Sequence, residues 1–155
     1  MTYYPAPVVL ANLWLNAQKA IPGHLKTRYC IEAHEWGDLT TALAADRAHH
    51  FTRIIAADCY WMPYQHENLV RSMMHLLAVE PSGRIFVTSG FHTGRAKLAN
   101  FFDVAAVEGL QVEEIYEEDA EGTRRDWMKE RDGGMEDHTE RKRWLVIARL
   151  KRRGA

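Results

Sequence analysis

The stretch "FTRIIAADCYWMPYQHENLVRSMMHLLAVEPSG" (Phe51–Gly83) changes its hydrophobic period midway. It begins as an apolar run of strand length that ends abruptly in Asp58. Cys59, Tyr60, Trp61, a proline and His66 follow. Leu69, Val70, Met73, Met74 and Leu77 then recur at helical spacing until Pro81-Ser82-Gly83 stops them. A strand, an acid at its carboxyl end and a returning helix are the parts of a βαβ unit.

The flanking sequence repeats this alternation. Upstream, "TRYCIEAHEWG" predicts a short strand over about Arg28–Ala33, and "DLTTALAADRAHH" a short helix that Asp38 or Thr40 could cap. Before them "PAPVVLANLWLNAQKAIPG" predicts a helix with Leu10, Leu13, Trp14 and Ala17 on one face. Downstream come the strand "RIFVTSGF" and a helix carrying Leu98, Phe101, Phe102 and Ala105, with Thr93 as its cap and Gly109 as its stop. The strand "LQVEEIYEED", an exposed charged excursion over Glu117–Asp137 and a last strand "KRWLVIARLKRR" complete the chain. Strands alternating with helices imply an α/β domain whose mainly parallel sheet is covered on both faces; the last two strands, with no helix between them, pair antiparallel.

Composition sets the outer bounds. The 155 residues suffice for one domain with a real core, and 46% hydrophobic with 26% charged residues is ordinary for a globular protein. A net charge of −1 gives no general reason to expect nucleic acid or an anionic membrane as partner. No apolar run approaches the roughly 18 residues of a spanning helix, and "MTYYPAPVVL" has no basic region of the signal-peptide kind. Cys30 and Cys59 sit in strand-like contexts and read as reduced, buried thiols of a cytoplasmic protein, and no spacing suggests a metal. The His49-His50 doublet reads as a solvated helix end, and the basic tail around Arg149, Lys151, Arg152 and Arg153 as an end that discourages edge pairing.

Open α/β sheets bind ligands beyond the carboxyl ends of their strands, and three such ends stand out: "EAHEWGD", "AADCYWMPYQH" and "TSGFHTG". Asp58 could accept a hydrogen bond from a ligand amine or hydroxyl, and Trp36 and Trp61 offer flat faces to a ring or a sulfonium-like cation. Plainer roles stand beside these: a turn residue for Asp58, core closure for Trp36, a polar helix start for His66, and an equally ambiguous His92. No G-x-S-x-G, G-x-G-x-x-G or Walker pattern occurs.

The succession "TYYPAPVVLANLWLN", "HEWGDL", "RIIAADCYWMPYQHENLVRSM", "VTSGFHTGRAKLANFF" and "ERKRWLVIARLKR" resembles the seven-β-strand (class I) S-adenosylmethionine-dependent methyltransferases. The likeness is to their fungal nicotinamide N-methyltransferase-like and protein lysine methyltransferase branch, over nearly the whole chain. It implies a Rossmann-like methyltransferase fold that starts just after its second strand. Tyr3 stands where relatives carry an acid, and the first strand with its Gly-rich loop has no counterpart. The family sheet runs 3-2-1-4-5-7-6. Without strands 1 and 2, the third (about Arg28–Ala33) is expected to dock parallel beside the fourth (about Arg53–Ala57), giving an antiparallel last strand and the order 3-4-5-7-6. The exposed edges would otherwise invite self-association.

The resemblance also implies S-adenosyl-L-methionine as cofactor and methyl transfer to the nitrogen of a small-molecule amine or a protein lysine. Asp58 and His66 are then the candidate catalytic groups; Trp36, Gly37 and Asp58 the cofactor-binding residues; Trp61 and Tyr64 the lining of the substrate pocket. With half the cofactor cradle absent, activity is expected to be impaired. Two other functions fit the sequence: a non-catalytic interaction module derived from a methyltransferase, and a flavodoxin-like small-ligand binder, which the want of a phosphate-cradling glycine loop disfavours.

Overall fold

The structure is a computed structural model and describes residues 7–24 and 29–154. Five helices and five strands follow in the order α1 (Pro7–Ala20), α2 (Ala42–Asp46), β1 (Arg53–Ala57), α3 (His66–Leu76), β2 (Arg84–Gly90), α4 (Arg95–Val107), β3 (Leu110–Asp119), β4 (Arg124–Asp126), α5 (His138–Arg141) and β5 (Trp144–Arg152). The five strands form one sheet in the order β1-β2-β5-β3-β4.

The α/β class holds, but the sheet differs from expectation. Only β1 and β2 pair in parallel, while β5 lies antiparallel to both β2 and β3, and β4 is antiparallel to β3. One reversed strand placed centrally makes two antiparallel ladders, so the sheet is mostly antiparallel rather than mainly parallel. The run β1-β2-β5-β3 matches the 4-5-7-6 part of the expected order. The fifth strand is the short β4 at the opposite edge, not the anticipated third strand.

That third strand is absent from the described residues. Arg28 lies outside them, as does Tyr3, and Tyr29–Ala33 carry no strand. The expected docking beside β1 is not made: a groove of about 260 Å³ separates Cys30 and Glu32 from Arg53, Ile54 and Ile55. The chain just beyond it is held by α3 and the cap of α2 instead. His34, fully buried, pairs through Nε2 with Ser72 Oγ at 2.9 Å and through Nδ1 with Thr41 Oγ1 at 2.8 Å. Ser72 Oγ also accepts the Gly37 N–H at 2.8 Å.

The core lies on one face of the sheet. Ala56, Ile85, Val87, Val146, Ala148 and Leu150 alternate inward against Leu69, Val70 and Met73 of α3 and Leu98, Phe101, Phe102 and Ala105 of α4. Both helices bury the faces their periodicity predicted. Outward-facing Ile55, Phe86 and Leu145 are exposed, so the second face is not covered as a doubly wound sheet requires. Helix α1 forms as expected, yet none of its residues is buried. Thr41, rather than Asp38 or Thr40, caps α2, and Gly94 rather than Thr93 precedes α4. Gly109, at φ +97°, stops α4.

Two further expectations are overturned by packing. Glu117–Asp137 is not simply an exposed excursion: Glu117 is fully buried, and Trp127 stacks on Phe91 with ring centroids 6.1 Å apart. The basic tail does not guard an edge, because β5 is an interior strand; Arg149 Nε donates to Glu113 at 2.6 Å, and Arg152 donates to the Leu77 carbonyl at 2.7 Å at the end of α3. Both cysteines are free thiols, but Cys30 is exposed and Cys59 half-buried, since the segment holding Cys30 has no neighbouring strand to cover it.

Candidate functional site

The carboxyl ends of β1 and β2 form a rim. Chain leaves β1 through Asp58, whose backbone sits at φ +52°, a left-handed turn that Asp tolerates better than bulkier residues. Its N–H donates to Thr88 O at 2.8 Å and its Oδ1 accepts the Ser89 hydroxyl at 2.9 Å, so the exposed carboxylate is tied to the neighbouring strand. Asp58 does not cap α3, whose preceding residue Gln65 makes no side-chain cap bond.

The loop beyond Asp58 alternates between core and solvent. Tyr60 and Met62 are buried, whereas Trp61 and Tyr64 are 51% and 74% exposed. Tyr60 packs edge-on against Phe101 at 4.2 Å, and its hydroxyl donates to Ala56 O at 3.3 Å. Burial pushes its phenol well above the ordinary tyrosine range. His66 is buried at the start of α3, with Nε2 2.9 Å from Tyr60 O and Nδ1 3.2 Å from Asn100 Nδ2. A carbonyl only accepts and that amide nitrogen only donates, so the proton sits on Nε2 and the ring is neutral. Burial lowers its pKa, against a smaller opposing effect of the Tyr60 carbonyl. Both ring nitrogens are occupied, and the imidazole ties the Tyr60 backbone to α4.

Trp36 and Gly37 abut the same helix start. Gly37 is at φ +85°, and a Cβ there would stand 2.6 Å from Asn68 Oδ1, so this close approach needs glycine. Trp36 lies in the apolar cluster that also contains Tyr60, Met62, Leu69 and Phe91, which is the core-closing placement. His92 is exposed and folds back over Gly90, where a Cβ would stand 2.7 Å from its Nε2.

The structure thus brings Asp58, Trp61, Tyr64 and His66 onto one loop and sets Trp36 and Gly37 against the helix that follows. Asp58, Trp61 and Tyr64 face solvent; Trp36 and His66 do not. Sequence reasoning passed over Asn100 and gave Ser89 no role. The Ala57–Thr88 register, which sets Ser89 beside Asp58, was the missing signal. Among the described residues no group of three or more His, Cys, Asp or Glu is arranged to hold a metal, and no helix is long and apolar enough to cross a membrane.

No family model matches the chain. It is similar to a protein N-terminal and lysine N-methyltransferase of Candida glabrata, with 31% identity over 121 residues. The aligned part is 74% of this chain and 46% of that protein, so the chain spans under half the length of its curated relative. The similarity supports a methyltransferase, and the five-stranded α/β sheet is consistent with that fold.

Proposed function

We propose that the chain contributes the acceptor side of an S-adenosylmethionine-dependent N-methyltransferase site, acting on a protein amine in a cytoplasmic setting. The observation that carries this is the Asp58 rim: an exposed carboxylate in a left-handed turn, fixed by Ser89 and followed along the same loop by two exposed aromatic rings. A carboxylate accepts hydrogen bonds from an amine and stabilises the ammonium formed when it is methylated. Trp61 and Tyr64 offer ring faces to cationic groups, each worth about 0.5–1 kcal/mol at exposed sites. The name of the Candida glabrata relative supports a protein amine as acceptor over a small molecule.

These residues fit the acceptor better than they fit the cofactor. When bound, S-adenosylmethionine would supply an electrophilic methyl group for transfer to the acceptor nitrogen. Asp58 would accept a hydrogen bond from the acceptor nitrogen and fix its orientation. His66 acts as a positioning residue through Tyr60. Trp36, buried among Tyr60 and Met62, presents no open face for adenine, so cofactor binding by this chain is weak.

Titration of the chain with S-adenosylmethionine, followed by amide NMR shifts, tests this. Shifts confined to Asp58–Tyr64 and Ser89 at millimolar cofactor, lost in Asp58→Ala, are expected. Micromolar affinity would overturn the impairment, and an unshifted rim would overturn the site.

A second function, an interaction module, is favoured by the open edge of β1. Thr52 O and Asp58 N bond to β2, so by alternation Arg53, Ile55 and Ala57 turn their backbone groups to the unpaired side, and Ile55 is 77% exposed. Concentration-dependent association that Ile55→Lys abolishes would support it; a monomer at all concentrations excludes it.

A further inference from the structure

Beyond the rim, where α4 begins, a cleft of about 350 Å³ opens between Thr93–Lys97 and the stretch Lys129–Arg141. Its wall carries Lys97, Lys129, Arg131 and Arg141. Two carboxylates also line it, but Glu136 is already bound by Arg95 at 2.6 Å and Arg125 at 3.2 Å. Glu130 is the other carboxylate among the lining residues.

Arg131 is partly engaged, its Nη2 3.4 Å from the buried Glu117 carboxylate, and Arg141 lies 3.0 Å from His138 Nδ1 and near Glu136, so the most available positive charge is that of the two lysines. Lys97 is exposed and has no ion-pair partner among the described residues. Lys129 pairs with Asp103, but both side chains are about 60% exposed, and such pairs are worth only about 0–1 kcal/mol. Arg131 and Arg141 each bury an Nε–H that finds no acceptor among the described residues. A surplus of positive charge in a concave space focuses potential and draws anions.

We propose that this cleft binds an acidic stretch of the protein acceptor, holding Glu or Asp side chains while the amine sits at Asp58. This rests on the methyltransferase function proposed above. Lys97 on α4, facing Lys129 and Arg141 from the opposite stretch, suits successive carboxylates along a chain better than one small anion. Thr93, at the edge of the cleft, lies four residues beyond Ser89, which holds Asp58, so the Cα atoms of Ser89 and Thr93 are at most about 14 Å apart. A peptide extended over three or four residues spans about 10–14 Å, so acidic residues at that spacing from the amine are the ones placed to reach the cleft.

The test is fluorescence anisotropy on the whole chain without methyl donor. The probe is a short labelled peptide with one lysine and glutamates three and four positions away, compared with its Gln-substituted twin. The Glu peptide should bind at least about tenfold more tightly than the Gln peptide. Lys97→Glu with Lys129→Glu should erase that difference, while Lys19→Glu on α1 leaves it intact. Both lysines are exposed, and circular dichroism checks that the double variant is folded. Equal binding of the two peptides, no binding of either, or an equal loss in Lys19→Glu overturns the proposal. Because no donor is present, this result is independent of the cofactor titration: a failed titration with a positive peptide result removes the methyl-transfer site and leaves the acidic-peptide cleft.

Discussion

Arg95 and Trp14 invert the usual rule of what belongs inside. Arg95 is 6% exposed and Trp14 is 54% exposed. Arg95 starts α4 in a region crowded with partners: Glu117 at 2.5 Å, Glu136 at 2.6 Å, the Met128 carbonyl at 2.9 Å, and the Phe91 ring 4.1 Å beneath its guanidinium. Trp14 is on α1, none of whose residues is buried. Burial here follows the supply of neighbours: a cation with two carboxylates and an aromatic floor is held inside, while a large apolar ring with nothing to lie on stays in water.

The ion network sets the strongest expectation. Replacing Glu117 by Ala leaves Glu136 alone against Arg95 and Arg125 and takes the carboxylate from Arg131, and breaking a buried pair on one side costs about 3–5 kcal/mol. Urea unfolding measures it, and a loss no larger than that of a surface variant would dissolve the contrast drawn here. Next in size is Ser72→Ala, which strips partners from buried His34 and from the Gly37 amide; about 1–3 kcal/mol is expected, with faster hydrogen exchange at Gly37.

Acid should act on the same region. Burial alone would raise the carboxyls of Glu117 and Glu136, but the arginines outweigh it and both are held below the usual carboxylate range. The unfolded chain therefore takes up protons that the folded chain refuses, and stability present above about pH 4.3 is lost as pH falls through the folded values. His34 and His66, both lowered by burial, give a gentler decline that begins near pH 6.5. Thermal melts across this range should slope accordingly, and Glu117→Gln should flatten the acid limb. The smallest effect belongs to α1: Trp14→Ala should change stability by no more than about 0.5 kcal/mol. A larger loss would mean that α1 rests on something in solution.

Legibility in the sequence followed the same division. Helices α3 and α4 could be read because their apolar period reports a face that is in fact buried, and the Asp58 loop because an acid interrupting an apolar run is a local event. The segment at Tyr29–Ala33 could not, since its β-rich residues state a preference that only a neighbouring strand can fulfil. Glu117 was equally opaque: among Glu114, Glu118, Asp119 and Glu121 it reads as surface, and only the β3–β5 register and the arginines arriving from α4 and β4 bury it. At the site itself, residue types announced the rim, but which rings faced outward, Trp61 and Tyr64 rather than Trp36, depended on packing.

The central, reversed position of β5 carries a consequence for assembly. Without it the sheet falls into two pieces, β1 with β2 and β3 with β4, which share no ladder. Ile85 meets Leu150 across 65 positions of chain, so the two halves must wait for a distant segment to arrive between them, and closing so long a loop slows folding. The keystone is set late, and its nine residues decide whether two half-sheets become one.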